Sequence, residues 1–128
     1  MLSLIILPTY NEAGNILGIA ERIISLGDYL HILIIDDNSA DGTQEIAREL
    51  AARYKEKVFL LERPGKLGLG SAYIQGFRFA LEKGYDYAFE MDSDWSHDPR
   101  EIPNFLEAAK DADVVIGSRY IGGIRIMN

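Results

Sequence analysis

The sequence of 128 residues contains no cysteine, and it has only two histidines and four prolines. The lack of cysteine excludes both a disulfide scaffold and a thiolate metal site. Its most apolar opening stretch, Leu2 to Leu7, is far shorter than the roughly 20 residues that cross a bilayer. No cationic region precedes that stretch, as it would in a signal peptide. We therefore expect a cytoplasmic protein.

Basic side chains are also scarce, since 13 lysines and arginines accompany 20 aspartates and glutamates, for a formal net charge of −7. Binding to nucleic acid depends on clustered basic residues that neutralise phosphates, so no nucleic-acid partner is expected. The acidic excess fits hard cations and cation-bridged anions better. With 48% hydrophobic residues, the chain is expected to form one domain that hides roughly two-thirds of its unfolded surface.

Short apolar runs alternate with amphipathic segments of helix length, which is typical of parallel strands covered on both faces by crossover helices. We predict strands over residues 2–7, 31–35, 58–61, 85–91 and 113–116, and helices over residues 12–25, 43–55, 70–82 and 99–110. The pattern predicts an α/β fold with a Rossmann-like, doubly wound and mostly parallel sheet. Ligands of such sheets bind outside the carboxyl ends of the strands, so the candidate residues are those that directly follow each strand.

Several familiar nucleotide and hydrolase motifs are missing from these loops. Gly65 and Gly70 have the four-residue gap of a P-loop, but no lysine-serine pair follows the second glycine. A dinucleotide fingerprint belongs in the first strand-helix turn, where residues 8–14 instead read Pro-Thr-Tyr-Asn-Glu-Ala-Gly. No Gly-x-Ser-x-Gly elbow occurs. Nicotinamide cofactors, P-loop phosphate transfer and serine hydrolysis are therefore not expected.

Two aspartates, Asp92 and Asp94, directly follow the fourth predicted strand. Side chains two residues apart on an extended segment point the same way, so both carboxylates can reach one metal ion. Mg²⁺ or Mn²⁺ typically takes one or two protein carboxylates and fills its other positions with water and phosphate oxygens. This predicts a metal site at the Asp92 and Asp94 pair. Asp98, by contrast, precedes Pro99 and is expected to be a helix N-cap, with Glu101 completing a capping box.

Other loop residues allow both a binding and a structural interpretation. Asp37 follows a buried strand, where a carboxylate commonly accepts hydrogen bonds from a ribose or a base. Lys66 and Arg119 fit a phosphate group, although a lysine in a glycine-proline loop is often only solvated. Two pairs have the spacing of capping boxes, which leaves both interpretations open: Thr9 with Glu12, and Asp41 with Gln44.

Five loop motifs occur in order along nearly the whole chain: Leu7-Pro-Thr-Tyr-Asn-Glu12, Ile35-Asp-Asp-Asn-Ser-Ala-Asp-Gly-Thr43, Lys66-Leu-Gly-Leu-Gly-Ser-Ala-Tyr73, Met91-Asp-Ser-Asp-Trp-Ser-His-Asp-Pro99 and Gly117-Ser-Arg-Tyr120. Together they resemble the family 2 glycosyltransferases of the glycosyltransferase-A fold, in particular the polyprenol (dolichol) phosphate mannosyltransferases. The resemblance implies that residues 1–128 form the N-terminal, nucleotide-sugar-binding half of such an enzyme, with the fold truncated at its C-terminal side.

The resemblance also implies ligands and residue roles. The implied donor is GDP-mannose, bound with Mg²⁺ or Mn²⁺. Its nucleotide contacts are implied to be Pro8, Tyr10, Glu12, Ile35 and Asp37. Its diphosphate and metal are implied to contact Asp92, Ser93 and Asp94, with Ser96 as a further metal ligand. Lys66 and Arg119 complete the donor-binding set as phosphate contacts, and the implied catalytic residues are Asp94 and Arg119.

The implied activity is a metal-dependent, inverting transfer of mannose to a polyprenyl phosphate. Such a phosphate is already ionised at neutral pH, so no strong general base is needed. This activity would place the protein peripherally at the cytoplasmic face of a membrane. Two alternatives stay open: a UDP-sugar donor, and a non-catalytic nucleotide-sugar-binding fragment that lacks the acceptor half. Apolar surface left uncovered by that missing half further predicts association into a homo-oligomer.

Overall fold

The computed structural model describes residues 2–109, 114–118 and 123–127, and it divides into two compact units, Met1–Ser96 and His97–Asn128. The first unit holds four strands and three helices: β1 (Ser3–Thr9), α1 (Ile16–Ser25), β2 (Leu30–Asp36), α2 (Thr43–Arg53), β3 (Val58–Glu62), α3 (Leu69–Lys83) and β4 (Tyr87–Glu90). The second unit holds a 3-10 turn (Pro99–Glu101), α4 (Ile102–Ala109), β5 (Val114–Ser118) and β6 (Gly123–Met127). No helix among the described residues is long and apolar enough to span a membrane.

The four strands of the first unit form a parallel sheet in the order β3-β2-β1-β4. Strand β1 therefore lies between β2 and β4, with Ser3 paired to Leu30 on one side and to Tyr87 on the other. The chain winds in opposite directions from β1, which makes this strand the switch point of the sheet. A crevice is expected at the carboxyl ends of the strands next to such a point.

Burial explains why the strands were recognisable in the sequence. All seven residues of β1 are buried. Leu4 and Ile6 belong to a core cluster with residues of α3, so the equally buried Ile5 and Leu7 face the other side of the sheet. Helices α1 and α2 contact each other, and each contacts β2. A strand covered on both faces reads as a continuous apolar run rather than an alternating one.

The predicted fold class is confirmed, with two local differences. Helix α1 begins at Ile16 rather than at residue 12, and in the turn before it the amides of Asn11, Glu12 and Ala13 donate to the side chains of Ser39, Thr43 and Asp41. The fifth predicted strand exists as β5, but it pairs antiparallel with β6, which was not predicted. Only residues 119–122 separate these strands, and so short a connection suits antiparallel pairing, whereas a parallel crossover needs a dozen residues or more.

Candidate functional site

A cleft of about 240 Å³ lies where the strands of the first unit end. Most of the predicted donor-binding and metal-binding residues line it: Pro8, Tyr10, Glu12, Asp37, Lys66, Asp92, Ser93 and Asp94. Thr9, Gly68 and Leu69 also line the cleft, although the sequence had given them no binding role. The structure thus brings together residues from four separate loops, as the strand order requires.

Three predicted site residues lie elsewhere. Ile35 belongs to the core cluster and is fully buried, so its side chain supports the sheet and does not reach the cleft. Ser96 is outside the lining but donates its hydroxyl to Asp92 Oδ2 (3.2 Å). Arg119 lies outside the residues that the structure describes. Its predicted role in binding a phosphate therefore stays a prediction.

A fully buried carboxylate, Asp36 at the end of β2, ties the first loop to the second. Its Oδ1 accepts from the hydroxyls of Thr9 and Ser39, each at 2.6 Å, and its Oδ2 accepts from the Ser39 amide at 2.9 Å. A buried carboxylate needs several such donors to offset its lost hydration. Asp36 is therefore a structural residue that fixes two walls of the cleft.

Neither of the two capping boxes forms as the spacing had indicated. Thr9 donates its hydroxyl to Asp36, and helix α1 starts further along the chain, so Thr9 forms no box with Glu12. The N-cap of α2 is Gly42 rather than Asp41, and Asp41 Oδ1 instead accepts from the Thr43 amide at the first residue of the helix (3.1 Å). A hydrogen bond from the Thr43 hydroxyl is the main cause that lowers the pKa of Asp41.

A buried ion pair between Asp37 and Arg63 holds the loop after β3. Arg63 Nε lies 2.5 Å from Asp37 Oδ1 and Nη2 lies 2.8 Å from Oδ2, while the two side chains are only 10% and 2% exposed. Asp37 Oδ2 also accepts from the amides of Leu67 and Gly68. The carboxylate predicted to contact a nucleotide is thus already bonded by its own chain, and its position in the cleft lining depends on these bonds.

Arg63 is a site residue that the sequence analysis missed. Besides Asp37, its guanidinium donates to Ser71 Oγ (2.7 Å), Gln75 Oε1 (3.2 Å) and the Gly68 carbonyl (3.0 Å). It therefore joins the end of β2 to the start of α3. The signal was an arginine placed directly after β3, beside the neighbouring strand β2, whose end carries Asp36 and Asp37. Planar bidentate pairing of this kind is the geometry that arginine favours.

Lys66 is held in the cleft by an aromatic ring. Its ammonium nitrogen lies 4.6 Å from the ring centroid of Tyr10, within the range of a cation–π interaction. Both residues line the cleft and both are exposed. A phosphate bound here could therefore reach the Lys66 charge without displacing any buried group.

The two aspartates after β4 meet at Ser96. Ser96 donates its amide to Asp94 Oδ1 (2.9 Å) and its hydroxyl to Asp92 Oδ2 (3.2 Å). On the other side, the Tyr73 hydroxyl donates to Asp92 Oδ1 (3.2 Å). Burial, followed by the charge of Asp92, raises the pKa of Tyr73, so this hydroxyl keeps its proton at neutral pH and remains a donor.

This arrangement fits a hard divalent cation. Asp92, Asp94 and Ser96 gather five side-chain oxygens within residues 92–96, and oxygen ligands are what Mg²⁺ and Mn²⁺ prefer. Of the four acidic residues among the described lining of the cleft, Asp37 is paired with Arg63, which leaves Glu12, Asp92 and Asp94 with one basic lining residue, Lys66. Because like charges that converge oppose ionisation, a bound cation would relieve this repulsion. No cluster of three or more acidic or histidine side chains with metal-binding geometry occurs among the described residues.

Two nearby residues have structural contacts. Ser93 is buried and donates its hydroxyl to the Pro8 carbonyl (2.8 Å), which ties the loop after β4 to the end of β1. Asp98 caps the 3-10 turn by accepting from the Arg100 amide (3.0 Å), so its predicted capping role is confirmed. The Glu101 carboxylate accepts from Asn104 Nδ2 (3.0 Å) on the following helix.

The chain belongs to glycosyl transferase family 2, whose model matches residues 4–126. It is 43% identical over 127 residues to polyprenol monophosphomannose synthase of Mycolicibacterium smegmatis, a match that covers 98% of this chain and 48% of the relative. It is 45% identical to undecaprenyl-phosphate mannosyltransferase of Micrococcus luteus, covering 98% and 51%, and 40% identical to dolichol-phosphate mannosyltransferase of Pyrococcus furiosus, covering 97% and 35%. The chain thus spans about half the length of the first two relatives.

Solved structures agree with this assignment. A mannosyltransferase from Pyrobaculum calidifontis, in complex with GDP-Man and Mn²⁺, matches with a TM-score of 0.53 at 30% identity over 61% of this chain and 24% of that one. Residues 1–349 of TarS from S. aureus match with a TM-score of 0.58 at 18% identity, over 87% and 33% of the two chains. The second likeness concerns the fold alone, and both support the predicted glycosyltransferase-A type fold.

Proposed function

We propose that this chain forms the donor-binding half of a metal-dependent, inverting glycosyltransferase that moves mannose from GDP-mannose to a polyprenyl phosphate. The observation that carries the proposal is the joining of Asp92 and Asp94 through Ser96 beside a cleft at the switch point of the sheet. The mannosyltransferase names of the relatives support the sugar and the acceptor class. The complex of the archaeal mannosyltransferase supports GDP-mannose and a divalent cation.

The donor would lie across the cleft. Tyr10, Glu12 and Asp37 line the part built by the first two loops, which we assign to the nucleoside. Asp92 and Asp94, with Ser96, would hold Mg²⁺ or Mn²⁺ against the diphosphate, and Lys66 supplies a positive charge in the same cleft. Arg119 follows the described part of β5 and is proposed as a second phosphate contact.

The chemistry needs few residues from the protein. A phosphate oxygen of the acceptor attacks the anomeric carbon of mannose, the bond from that carbon to the donor diphosphate breaks, and the configuration inverts. The acceptor phosphate is ionised at neutral pH, so no side chain has to remove a proton from it. When bound, the divalent cation offsets the negative charge that develops on the leaving nucleoside diphosphate. The protein's own contribution is to orient the donor and to hold these charges in fixed positions.

Calorimetric titration of GDP with and without Mn²⁺ tests the metal bridge. Mn²⁺ is expected to raise the affinity for GDP. In the presence of Mn²⁺, Asp94→Asn is expected to lower that affinity about tenfold or more, as loss of metal-site groups commonly does. Asp28→Asn is the matched control, since Asp28 is a fully exposed carboxylate that pairs with Lys57 away from the cleft. If neither Mn²⁺ nor Asp94→Asn changes the affinity for GDP, the result contradicts the proposal.

Substrate choice and turnover need separate measurements. Tighter binding of GDP than of UDP is expected, and the reverse order would identify a UDP-sugar donor instead. Transfer of radiolabelled mannose from GDP-mannose to a polyprenyl phosphate in detergent then tests catalysis by the chain itself. Binding of donor and metal without labelled lipid would identify the chain as a nucleotide-sugar-binding module.

A further inference from the structure

The residue between Asp94 and Ser96 is Trp95, the single tryptophan of the sequence, and its backbone is left-handed, with φ +67°. Bulky residues rarely adopt this conformation, because Cβ then crowds the following carbonyl. Such a conformation persists only where the surrounding structure imposes it. Its position inside the proposed metal loop makes the cause of this conformation relevant to function.

The indole of Trp95 is anchored on helix α1. It packs over Gly18, where an added Cβ would lie 3.1 Å from the indole Cζ2 atom. Gly18 is exposed and lies inside a helix, a position where glycine is disfavoured relative to alanine. Trp95 is 45% exposed and is not among the residues that line the cleft. The indole therefore contacts the protein's own helix and does not line the donor site.

The backbone of Trp95 determines where Ser96 lies. The hydrogen bond from the Ser96 amide to Asp94 Oδ1 spans Trp95, and the Ser96 hydroxyl reaches Asp92 Oδ2. Because the φ and ψ angles of Trp95 set the direction of the Ser96 amide and the position of its hydroxyl, a different Trp95 conformation would move Ser96 relative to both carboxylates. One backbone conformation thus sets the positions of both carboxylates relative to Ser96.

We propose that Trp95 is a positioning residue, whose contact with Gly18 holds Asp92, Asp94 and Ser96 in the arrangement that binds the divalent cation. This inference rests on the proposed function, since it assumes that the loop binds a metal. It adds that metal affinity depends on a contact with α1 outside the cleft. A side chain at position 18 should therefore weaken metal binding without touching the metal site.

Gly18→Leu is the informative variant. Leucine is favoured in helices and would be placed on an exposed surface, so the melting temperature is expected to stay unchanged or to rise. The side chain occupies the space of the indole, so the emission of Trp95 is expected to shift to longer wavelength. Mn²⁺ affinity, measured from the free-ion electron paramagnetic resonance signal with and without GDP, is expected to fall about tenfold.

Matched variants separate positioning from general disturbance. Leu17→Ala changes an exposed neighbour on α1 and should leave Mn²⁺ affinity unchanged. Trp95→Ala should lower the affinity as Gly18→Leu does, whereas Trp95→Phe retains a ring over Gly18 and should recover most of it. The two substitutions of Trp95 also test the inference independently, should Gly18→Leu not fold.

The outcomes distinguish this inference from the function on which it rests. If the unsubstituted chain binds Mn²⁺ and Asp94→Asn weakens that binding, while Gly18→Leu and Trp95→Ala bind normally, the positioning role is refuted and the proposed function stands. If the unsubstituted chain binds no Mn²⁺ even with GDP, both are refuted. A fall in affinity for Gly18→Leu and Trp95→Ala, with recovery in Trp95→Phe, supports both.

Discussion

Replacing Asp37 with asparagine is expected to destabilise the fold by about 3 to 5 kcal/mol, the usual cost of removing one partner from a buried ion pair. The substitution keeps the shape of the side chain but removes its charge. Arg63 is 4% exposed, and its guanidinium would then remain in the interior without a counter-charge. Its contacts with Ser71, Gln75 and the Gly68 carbonyl are to neutral groups, which cannot replace a carboxylate.

This loss should be easy to measure. Domains of this size have total stabilities of about 5 to 15 kcal/mol, so the predicted change is a large fraction of the whole. Urea unfolding followed by far-ultraviolet circular dichroism should show a lower midpoint with an unchanged slope, because a similar surface is exposed on unfolding. The intrinsic fluorescence of Trp95 gives a second probe in the same molecule.

An exposed arginine-carboxylate pair between α2 and β3 provides the control. Arg48 and Glu62 are 2.6 Å apart, but their side chains are 56% and 36% exposed. Surface pairs contribute little because water solvates both charges. Glu62→Gln should therefore barely move the urea midpoint. If Asp37→Asn were no more destabilising than Glu62→Gln, the reasoning from burial would be refuted.

Two further substitutions address the metal loop and the core, and a change of pH addresses His31 at the start of β2. Tyr73→Phe removes the hydrogen bond to Asp92 and should lower Mn²⁺ affinity, measured by calorimetry, because groups behind a ligand orient it. Gly76→Ala would place Cβ 2.6 Å from Ile6 Cγ2 in the core, and thermal unfolding should show a loss of about 1 to 2 kcal/mol, since overpacking exceeds the gain in helix propensity. Burial is the main cause that lowers the pKa of His31 from 6.5, so the unfolded chain takes up a proton first as the pH falls. The stability that His31 provides is therefore complete above about pH 6.5 and decreases below it until the folded-state pKa is reached, which urea unfolding between pH 7.5 and 5.5 should show.

Each of these three has its own control. Tyr85→Phe removes a hydroxyl that bonds to His31 Nδ1 and should leave Mn²⁺ affinity unchanged. Gly70→Ala adds a Cβ to the same helix at a position with nothing within 4 Å, so it should not destabilise the fold. His31→Gln should flatten the pH dependence of stability between pH 7.5 and 5.5, and an identical slope in that variant would show that other groups cause it.

The sheet and the position of the cleft could be predicted because they depend on local patterns. Apolar runs marked the strands, since β1 and β2 are buried on both faces. The carboxyl ends of parallel strands meet at one edge, so reading the residues after each strand found Pro8, Asp37 and Asp92 together. Of the predicted nucleotide contacts, Ile35 is the one that does not line the cleft, because its side chain lies in the core.

What the sequence did not reveal depends on contacts between distant residues. Asp36 has a local partner in Ser39, but its bond to Thr9, which lies 27 residues away, could not be seen in the sequence. The pairing of Arg63 with Asp37 likewise spans 26 residues. The left-handed backbone of Trp95 contradicts the preference of its own residue type, and its indole packs over Gly18 of a helix that is distant in the sequence.

The two sides of the cleft differ in how far their contacts are buried, and therefore in how sensitive they are to substitution. Asp36 and Asp37 hold the first three loops through buried contacts with several donors each, so the side of the cleft proposed for the nucleoside is formed without a ligand. Preorganised groups lose little entropy on binding, and single exposed substitutions there should have small effects. The loop after β4 has a buried contact from Ser93 to the Pro8 carbonyl, but Trp95, between Asp94 and Ser96, packs over Gly18 at the surface. We therefore expect metal affinity to be more sensitive to substitutions outside the cleft than nucleoside affinity is.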